Sequence, residues 1–363
     1  MTAEILQTNN SLQRQVEQLQ QQLSKQSLKP PQPPPPSQAQ VRGRQFQERE
    51  VLKQSLEQQP LQVDQKPHTQ RVRKLKLNWR DGGKAPFEMT RGAAMVIGGI
   101  AFFMHWNGKA CSYNLTSKKW SKLPRCPYYR SSLAVINGQL TAIGGCKGVV
   151  NEDTYYNKLL SLPGYKEIFP PMPTKRRDTT AVISKEHLIV AGGATGPRSS
   201  DIITTVEVMN TESLVWSTVA SLPHPYRDAS GTICGDKLYL LGGLDDKGRT
   251  KSVLTCSLTE LLQSSSSSSM WYRVADPPVY YSTCAAVNGE LLAVGGCDKE
   301  NNHTSSIHKY SPTTNSWDRI SKMPTARWNS LVVVFQTNEI MVVGGENKIT
   351  FISVVESASI CLS

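Results

Sequence analysis

The sequence lacks a long hydrophobic segment and a secretion signal. No apolar run approaches the ~18 residues of a membrane-spanning helix, because the longest candidate, residues 93–104, is interrupted by Gly98 and Gly99. The N-terminus has no basic segment followed by an apolar stretch, so no signal peptide is predicted. The eight cysteines form no C-x-x-C pair, which is typical of reduced cysteines in the cytosol. We therefore expect a cytoplasmic protein that does not enter a membrane.

The sequence also lacks the short motifs of common enzyme classes. It contains no H-E-x-x-H, no phosphate-binding P-loop and no G-x-S-x-G. His303 and His308 are five residues apart, which is a weak spacing for a metal site. A Ser-His-Asp arrangement of distant residues stays open, because such triads assemble only in the folded chain. We predict no catalytic residue, metal ligand or cofactor, and keep an enzyme as the alternative.

Residues 1–70 are poor in aromatic residues and rich in glutamine and proline. Such a segment buries too little apolar surface to form a packed domain. Seven of the twelve net positive charges of the chain fall within residues 1–80. A basic tail can bind an acidic partner, RNA or a membrane surface. We favour a solvated tail and regard nucleic-acid binding as unfavoured.

The tail contains a short heptad pattern within residues 2–26. Two rows of residues recur at the spacing of a coiled-coil seam: Ile5, Leu12 and Leu19, and Asn9, Val16 and Leu23. So short a pattern is marginal in water, and a homodimer through residues 2–26 and a nascent helix are equal alternatives. We predict a short coiled coil at residues 1–28 and a disordered Pro/Gln-rich linker at residues 29–70. Residues 30–36 favour polyproline II, which serves as a spacer or binds an SH3 or WW domain.

Five internal repeats follow the tail. Each contains small and apolar residues, a turn, an apolar run and Gly-Gly, and the first glycines lie 48, 50, 53 and 49 residues apart: Gly144, Gly192, Gly242, Gly295 and Gly344. In three repeats a tryptophan begins a fourth strand: Trp216, Trp271 and Trp317. In the first of these five repeats Tyr165 or Phe169 takes that place. Strands this short must stack, and radial closure removes most exposed edges.

Residues 91–120 form a sixth, degenerate repeat. Gly98-Gly99 aligns with the turn of the other repeats, and His105-Trp106 occupies the diglycine position. A period near 50 with Gly-Gly and Trp resembles the kelch repeat, and this resemblance implies an all-β, six-bladed β-propeller over residues 71–363.

The last repeat is incomplete. It has a predicted third strand at residues 350–355, but the sequence ends before a tryptophan strand. A spare tryptophan strand, residues 72–79, lies before Arg91 at the spacing seen between repeats. We predict that residues 72–79 form the fourth strand of the last blade and close the ring.

The resemblance also implies a candidate ligand-binding rim. In the kelch family, the loops that enter each first strand open on one rim around the central channel, and this rim binds partners. The residues at these positions are Arg91, Tyr128, Tyr129, Arg130, Arg176, Arg177, Tyr226, Arg227, Tyr280, Tyr281, Arg327 and Trp328. Arginine and tyrosine in concave sites are strong anchors, and favour an acidic or phosphorylated segment or a peptide turn as ligand. We expect about half of the repeat arginines to bind backbone carbonyls between blades instead. Arg176 and Tyr226 are among the residues for which such a structural role is the weakest explanation.

These features predict a protein-interaction adaptor or scaffold whose tail dimerises or tethers it. Many kelch proteins recruit substrates to ubiquitin ligases through a BTB domain, which residues 1–70 are too few and too polar to form. A substrate-recognition role would therefore need a separate partner. The sequence is also compatible with an actin-associated kelch protein and with a propeller enzyme, such as an oxidoreductase or a sugar epimerase. The serine run at residues 264–269 predicts a flexible loop, and it could instead be a site of phosphorylation.

Overall fold

The structure, a computed structural model, describes residues 75–148, 154–264, 270–336 and 338–362. These residues form six four-stranded antiparallel sheets, numbered here as blades 1–6, and two short two-stranded ribbons. The coiled coil, the linker, the homodimer contact and the SH3 or WW site predicted within residues 1–70 lie outside the described residues. Residues 265–269 of the serine run also lie outside them.

The strands follow one another blade by blade. β1 (Leu75–Lys84) precedes blade 1, which contains β2 (Ala93–Ile97), β3 (Ile100–Met104), β4 (Ala110–Asn114) and β5 (Trp120–Leu123). Blade 2 contains β6 (Ser132–Ile136) and β7 (Gln139–Ile143), then a ribbon of β8 (Cys146–Lys147) and β9 (Thr154–Tyr155), then β10 (Leu159–Ser161) and β11 (Lys166–Glu167). Blade 3 contains β12 (Thr180–Ser184), β13 (His187–Ala191), a 3-10 helix (Ser199–Asp201), β14 (Val206–Asn210) and β15 (Trp216–Thr218).

The second half of the ring repeats this plan. Blade 4 contains β16 (Ser230–Cys234) and β17 (Lys237–Leu241), a ribbon of β18 (Leu244–Asp245) and β19 (Gly248–Arg249), then β20 (Val253–Ser257), helix α1 (Leu258–Gln263) and β21 (Tyr272–Val274). Blade 5 contains β22 (Thr283–Val287), β23 (Glu290–Val294), β24 (Ser306–Ser311) and β25 (Ser316–Lys322). Blade 6 contains β26 (Leu331–Phe335), β27 (Glu339–Val343) and β28 (Val354–Leu362).

The innermost strands surround a central channel. Each of β2, β6, β12, β16, β22 and β26 lies beside the innermost strands of its two neighbouring blades, and β26 lies beside β2. The ring is therefore closed, and the predicted all-β, six-bladed propeller is confirmed.

Strand β1 provides the fourth strand of blade 6. It pairs antiparallel with β28, so the sheet order is β1-β28-β27-β26. Leu77 of β1 lies in a core cluster with Ile360 of β28 and Ile307 of blade 5. The third strand of this blade starts later than the predicted residues 350–355, because β28 begins at Val354.

The diglycines allow the backbones of neighbouring blades to approach closely. The amide of Gly345 donates to the carbonyl oxygen of Met89 at 2.6 Å. A Cβ on Gly344 would lie 2.1 Å from that same oxygen, and both glycines have positive φ, 65° and 103°. The second glycines of three other blades donate to the next blade in the same way, at 2.7–2.9 Å: Gly145 to Arg176, Gly193 to Tyr226 and Gly296 to Arg327. Both positions therefore need glycine, because a side chain there would prevent the close approach that this hydrogen bond between blades requires.

The degenerate first blade keeps this plan without a diglycine. Gly98 and Gly99 form the hairpin turn between β2 and β3, with φ of 55° and 76°, as their alignment predicts. His105 lies buried at the position that glycine occupies elsewhere.

An aromatic side chain at the first residue of the fourth strand, or one residue to either side of it, joins each of four blades to the preceding one. Three indole N–H groups donate to carbonyl oxygens in the segments that leave the preceding blades: Trp216 to Pro170 (3.2 Å), Trp271 to Ala220 (3.0 Å) and Trp317 to Ala275 (2.7 Å). In blade 2 the hydroxyl of Tyr165 donates to the carbonyl oxygen of Pro124 at 2.8 Å. Tyr165, rather than Phe169, therefore replaces the tryptophan.

Removing β1 is expected to destabilise the closed ring. Deletion of residues 1–82 exposes the edge of β28 and removes Leu77 from the core, whereas deletion of residues 1–66 retains the strand. Truncating one buried leucine costs about 2–5 kcal/mol, so the shorter chain should melt at least about 4 °C below the longer one. Equal melting temperatures of the two truncated chains in calorimetry would contradict this.

A matched pair of point variants tests the same contact in the full chain. Leu77→Ala should lower the free energy of unfolding by about 2–5 kcal/mol, because its side chain is buried. Lys84→Ala, at an exposed position of the same strand, should change it by less than about 0.5 kcal/mol. Equal effects of the two substitutions would show that β1 contributes no packing to blade 6.

Candidate ligand-binding site

Six equivalent residues, one from each blade, surround one end of the central channel. Each lies two residues before an innermost strand and has a left-handed backbone, with φ between 45° and 57°. We call them the mouth ring: Arg91, Arg130, Asp178, Asp228, Tyr281 and Asn329. Backbone hydrogen bonds link ring residues of successive blades, for example from the Asp228 amide to the Asp178 carbonyl at 2.8 Å. Left-handed backbone is uncommon outside glycine, so its recurrence at the same position of all six blades identifies these residues as structurally equivalent.

The mouth ring encloses a cavity of about 490 Å³, within the size range of ligand pockets. Five of the six ring residues line it, and Trp106, Pro197, Leu244 and Phe351 add an apolar border. A second cavity of about 480 Å³ lies within the channel and is lined by the innermost strands. The mouth can therefore receive a small group from solvent.

Three arginines share the carboxylate of Asp178. Arg130 Nη1 lies 3.1 Å and Arg227 Nη1 lies 3.6 Å from Asp178 Oδ2, and Arg177 contacts the same oxygen. One negative charge cannot neutralise three guanidinium groups, so this side of the mouth keeps an excess of positive charge. The Arg130 side chain remains 41% exposed, so it is available to a ligand.

Glu346 has three side-chain partners on the other side of the mouth. Its Oε1 accepts from Arg91 Nε at 2.8 Å, from Thr90 Oγ1 at 2.8 Å and from Asn329 Nδ2 at 3.3 Å. Burial and hydrogen bonds hold this carboxylate in place. Arg91 keeps 48% of its side chain exposed and so adds a second accessible guanidinium group to the mouth.

Asp228 differs from both of these carboxylates. Among the described residues, its carboxyl group has no hydrogen bond or ion pair with another side chain, although Asp228 lines both the mouth cavity and the channel. Burial and the charge of Asp178 raise the pKa of Asp228 to about 7, against the lowering effect of nearby arginines. The mouth thus contains a carboxyl group that changes charge near neutral pH.

The structure brings part of the predicted rim together. Arg91, Arg130, Arg177, Arg227 and Tyr281 all line the mouth cavity. These residues surround Asp178 and Asp228, and they form the candidate ligand-binding site.

Four predicted aromatic residues do not line the mouth cavity. Tyr129, Tyr280 and Trp328 each immediately precede a ring residue and form a backbone bridge to the residue after the Gly-Gly position. Tyr128 stacks on Tyr156, with ring centroids 3.9 Å apart. None of the four is among the residues that line the mouth cavity, so they would contact only a ligand that extends outward.

The prediction that Arg176, Tyr226 and Arg327 belong to the exposed rim is wrong. Arg176 and Arg327 are fully buried, and Tyr226 is 3% exposed. Each lies two residues before the ring residue of its blade, where its carbonyl oxygen accepts from the second glycine of the preceding blade. These side chains therefore point into the interior of the propeller and serve the scaffold.

Arg327 connects the second and third strands of blade 6 through its guanidinium group. Its Nη1 donates to the carbonyl oxygens of Gly344 and Val354 at 3.0 and 2.9 Å, and Nη2 lies 2.9 Å from Glu356 Oε2. The other oxygen of Glu356 accepts from Thr325 Oγ1 at 2.6 Å. Burial lowers the pKa of the Arg327 guanidinium, and the ion pair with Glu356 opposes this effect.

Blade 3 contains the same arrangement. Arg176 donates to the carbonyl oxygens of Gly192 and Thr205 at 2.9 and 3.0 Å and pairs with Glu207 at 2.9 Å. The signal that sequence reasoning missed is the shared pentapeptide Met-Pro-Thr-x-Arg, at residues 172–176 and 323–327. In both blades a glutamate of the third strand completes the contact.

Sequence reasoning also missed the two acidic residues of the mouth ring, Asp178 and Asp228. An alignment of the repeats on their arginines shifts the register by one residue in blades 3 and 4 and by two in blade 6. An alignment that counts two residues back from each innermost strand gives the mouth ring directly.

Comparisons with known proteins agree with this architecture. Residues 166–345 match the family model described as the KLHDC2/KLHL20/DRC7 Kelch-repeats domain. The chain is 28% identical over 225 residues to Kelch-like protein 23 of Homo sapiens, covering 59% of this chain and 37% of that protein. It is 24% identical over 279 residues to Kelch-like protein terF of Aspergillus terreus, covering 69% of this chain and 58% of that protein. The chain thus spans less than two thirds of these relatives.

The solved structure of YjhT shares the fold. It aligns with a TM-score of 0.60 and 15% sequence identity, covering 77% of this chain and 99% of that one. In the described part of the chain, no helix is long and apolar enough to cross a membrane. The same residues contain no group of three or more histidine, cysteine or acidic side chains that could hold a metal ion.

Arg327→Met is expected to destabilise the fold, because it leaves the buried charge of Glu356 without its partner. Breaking a buried pair in this way costs about 3–5 kcal/mol, measured by chemical denaturation. The double variant Arg327→Met/Glu356→Gln removes the unpaired charge and should recover at least half of the loss. A stable Arg327→Met protein that fails only in ligand binding would contradict the scaffold role.

Proposed function

Because this chain is a β-propeller of the kelch-repeat family, we propose that it is a protein-interaction adaptor that binds an acidic segment of a partner protein at the channel mouth. The observation that carries this proposal is the group of three arginines around the single carboxylate of Asp178. Arginine binds carboxylate and phosphate groups through paired hydrogen bonds. The uncompensated guanidinium groups therefore favour an anionic ligand.

The size of the mouth supports a short segment as the ligand. A cavity of about 490 Å³ holds one or two side chains, and a folded domain would rest on the surrounding loops. The ligand that fits is an extended segment or a turn that inserts one acidic side chain toward Arg130 and Arg227.

The loop after the diglycine of blade 6 supports an apolar neighbour beside that acidic residue. Ile349 is 93% exposed and Phe351 is 41% exposed, and Phe351 also lines the mouth cavity. Exposed apolar side chains beside a polar pocket are common at protein-binding sites. A partner segment with an apolar residue next to its acidic residue would bury both.

The family supports binding over catalysis, since kelch propellers typically act as non-enzymatic adaptors. Substrate recognition for a ubiquitin ligase, through a separate partner, would use this same face and stays a prediction, as does association with actin. Dimerisation through residues 2–26 and binding of an SH3 or WW domain at residues 30–36 also stay predictions.

Selection of a random peptide library on the full-length chain tests the proposal. We expect the selected peptides to share an aspartate or glutamate, and substitution of that residue by its amide should weaken binding at least about tenfold, the worth of a hydrogen bond to a charged group. Arg130→Ala should weaken binding to a similar extent in calorimetry, because its guanidinium is exposed at the mouth.

Arg319→Ala is the matched control, since Arg319 is exposed on the outermost strand of blade 5. It should leave peptide affinity unchanged, and both variants should melt within a few degrees of the parent chain. Selected peptides without acidic residues, or equal effects of the two arginine variants, would reject the proposed site.

A further inference from the structure

Two adjacent acidic residues of the mouth ring have different surroundings. Asp178 contacts three arginines, and the carboxyl group of Asp228 faces the cavity without a side-chain partner among the described residues. Their backbones are directly linked, because the amide of Asp228 donates to the carbonyl of Asp178 at 2.8 Å. The mouth therefore contains two neighbouring carboxyl groups, of which, within the described ranges, Asp178 forms ion pairs with arginines and Asp228 does not.

We propose that Asp228 is a proton-linked specificity residue, which takes up a proton when an acidic ligand enters the mouth and then donates a hydrogen bond to that ligand. This inference rests on the proposed function, since it concerns the same cavity. It adds a regulatory property: the adaptor binds its acidic ligand more tightly as the pH falls from 8.5 to 6.5.

The charged groups around Asp228 support this direction. Asp178 of blade 3 is the like charge that raises the pKa of Asp228, and the positive charges of Arg227 on the same blade and of Arg91 and Arg130 on blades 1 and 2 oppose it. Tyr281 of blade 5 and Glu346 of blade 6 line the other side of the same cavity. An ionised Asp228 adds an unpaired negative charge at the place where the ligand carboxylate must lie. A protonated Asp228 removes that repulsion and provides a donor.

The sign of the linkage follows from these charges. The pKa of Asp228 is raised to about 7 in the free protein, and a second carboxylate placed beside it raises the pKa further. Ligand binding then takes up a proton between the two pKa values. Affinity should be level below pH 7 and should fall above it, by at most about tenfold per pH unit.

Calorimetry on the full-length chain tests the inference. The probe is an N-acetylated, C-amidated acidic peptide from the selection above. Binding should weaken about fivefold or more from pH 6.5 to pH 8.5, and Asp228→Asn should bind at both pH values as the parent does at pH 6.5. Titration at pH 7.5 in two buffers of different ionisation enthalpy measures proton uptake without any variant, and zero uptake would overturn the inference.

Asp318→Asn, at an exposed position of an outer strand, is the matched control and should keep the pH profile of the parent. Parallel profiles of the parent and Asp228→Asn would overturn the inference alone, with the binding site intact. A selection that returns no acidic peptide would overturn the proposed function instead.

The free protein gives an independent measurement. The pKa of Asp228 is raised from its ordinary value of 3.8 to about 7, so the stability that its protonated form gives the fold is lost progressively as the pH rises from about 4 to about 7. The melting temperature of the parent should therefore fall relative to that of Asp228→Asn between pH 5 and pH 7, and the difference should level off above about pH 7.5. A constant difference between the two melting temperatures would show that Asp228 does not titrate in this range.

Discussion

The hydrogen bond between a diglycine and the next blade is the contact on which the rest of the structure depends. The Gly345 amide reaches the Met89 carbonyl oxygen at 2.6 Å, and a side chain on Gly344 would occupy the same space. The accepting residue lies two positions before a ring residue, so the contact that sets the blade spacing also places the left-handed residues around the channel. The geometry of the mouth therefore follows from the way the blades pack.

A shift of one or two residues separates scaffold arginines from mouth arginines. Arg327, two positions before the ring, is buried and holds the carbonyl groups of its own blade. Arg130, at the ring itself, keeps an exposed guanidinium. The same residue type thus stabilises the interior or remains available to a ligand, according to whether its backbone position faces the preceding blade or the channel.

The architecture could be predicted because its causes are local. Gly-Gly marks the places where the backbones of two blades approach, and tryptophan marks the contact between neighbouring blades. The assignment of a strand before blade 1 to blade 6 follows from the tryptophan strand that the last repeat lacks. The site could be predicted only in part. Whether Arg176 is buried depends on Glu207, 31 positions later in the sequence, and the isolation of Asp228 depends on which of two acidic residues the arginines of three blades contact. Such properties belong to the assembled ring and are absent from any single repeat.

The repeats provide equivalent backbone positions, and the differences among their side chains give the mouth its chemistry. Blades 2, 3 and 4 place Arg130, Arg177 and Arg227 around Asp178, whereas blades 5 and 6 place Tyr281 and Asn329 at the ring. Positive charge is therefore concentrated on one side of the channel axis. Under the proposed function, an anionic group of the partner would bind off the axis, against blades 2–4 and beside Asp228, and the rest of the partner segment would extend toward the exposed apolar loop of blade 6. The repeated backbone contacts form the scaffold. Because the six equivalent positions of the mouth ring carry different side chains, the candidate site is positively charged on one side and not on the other.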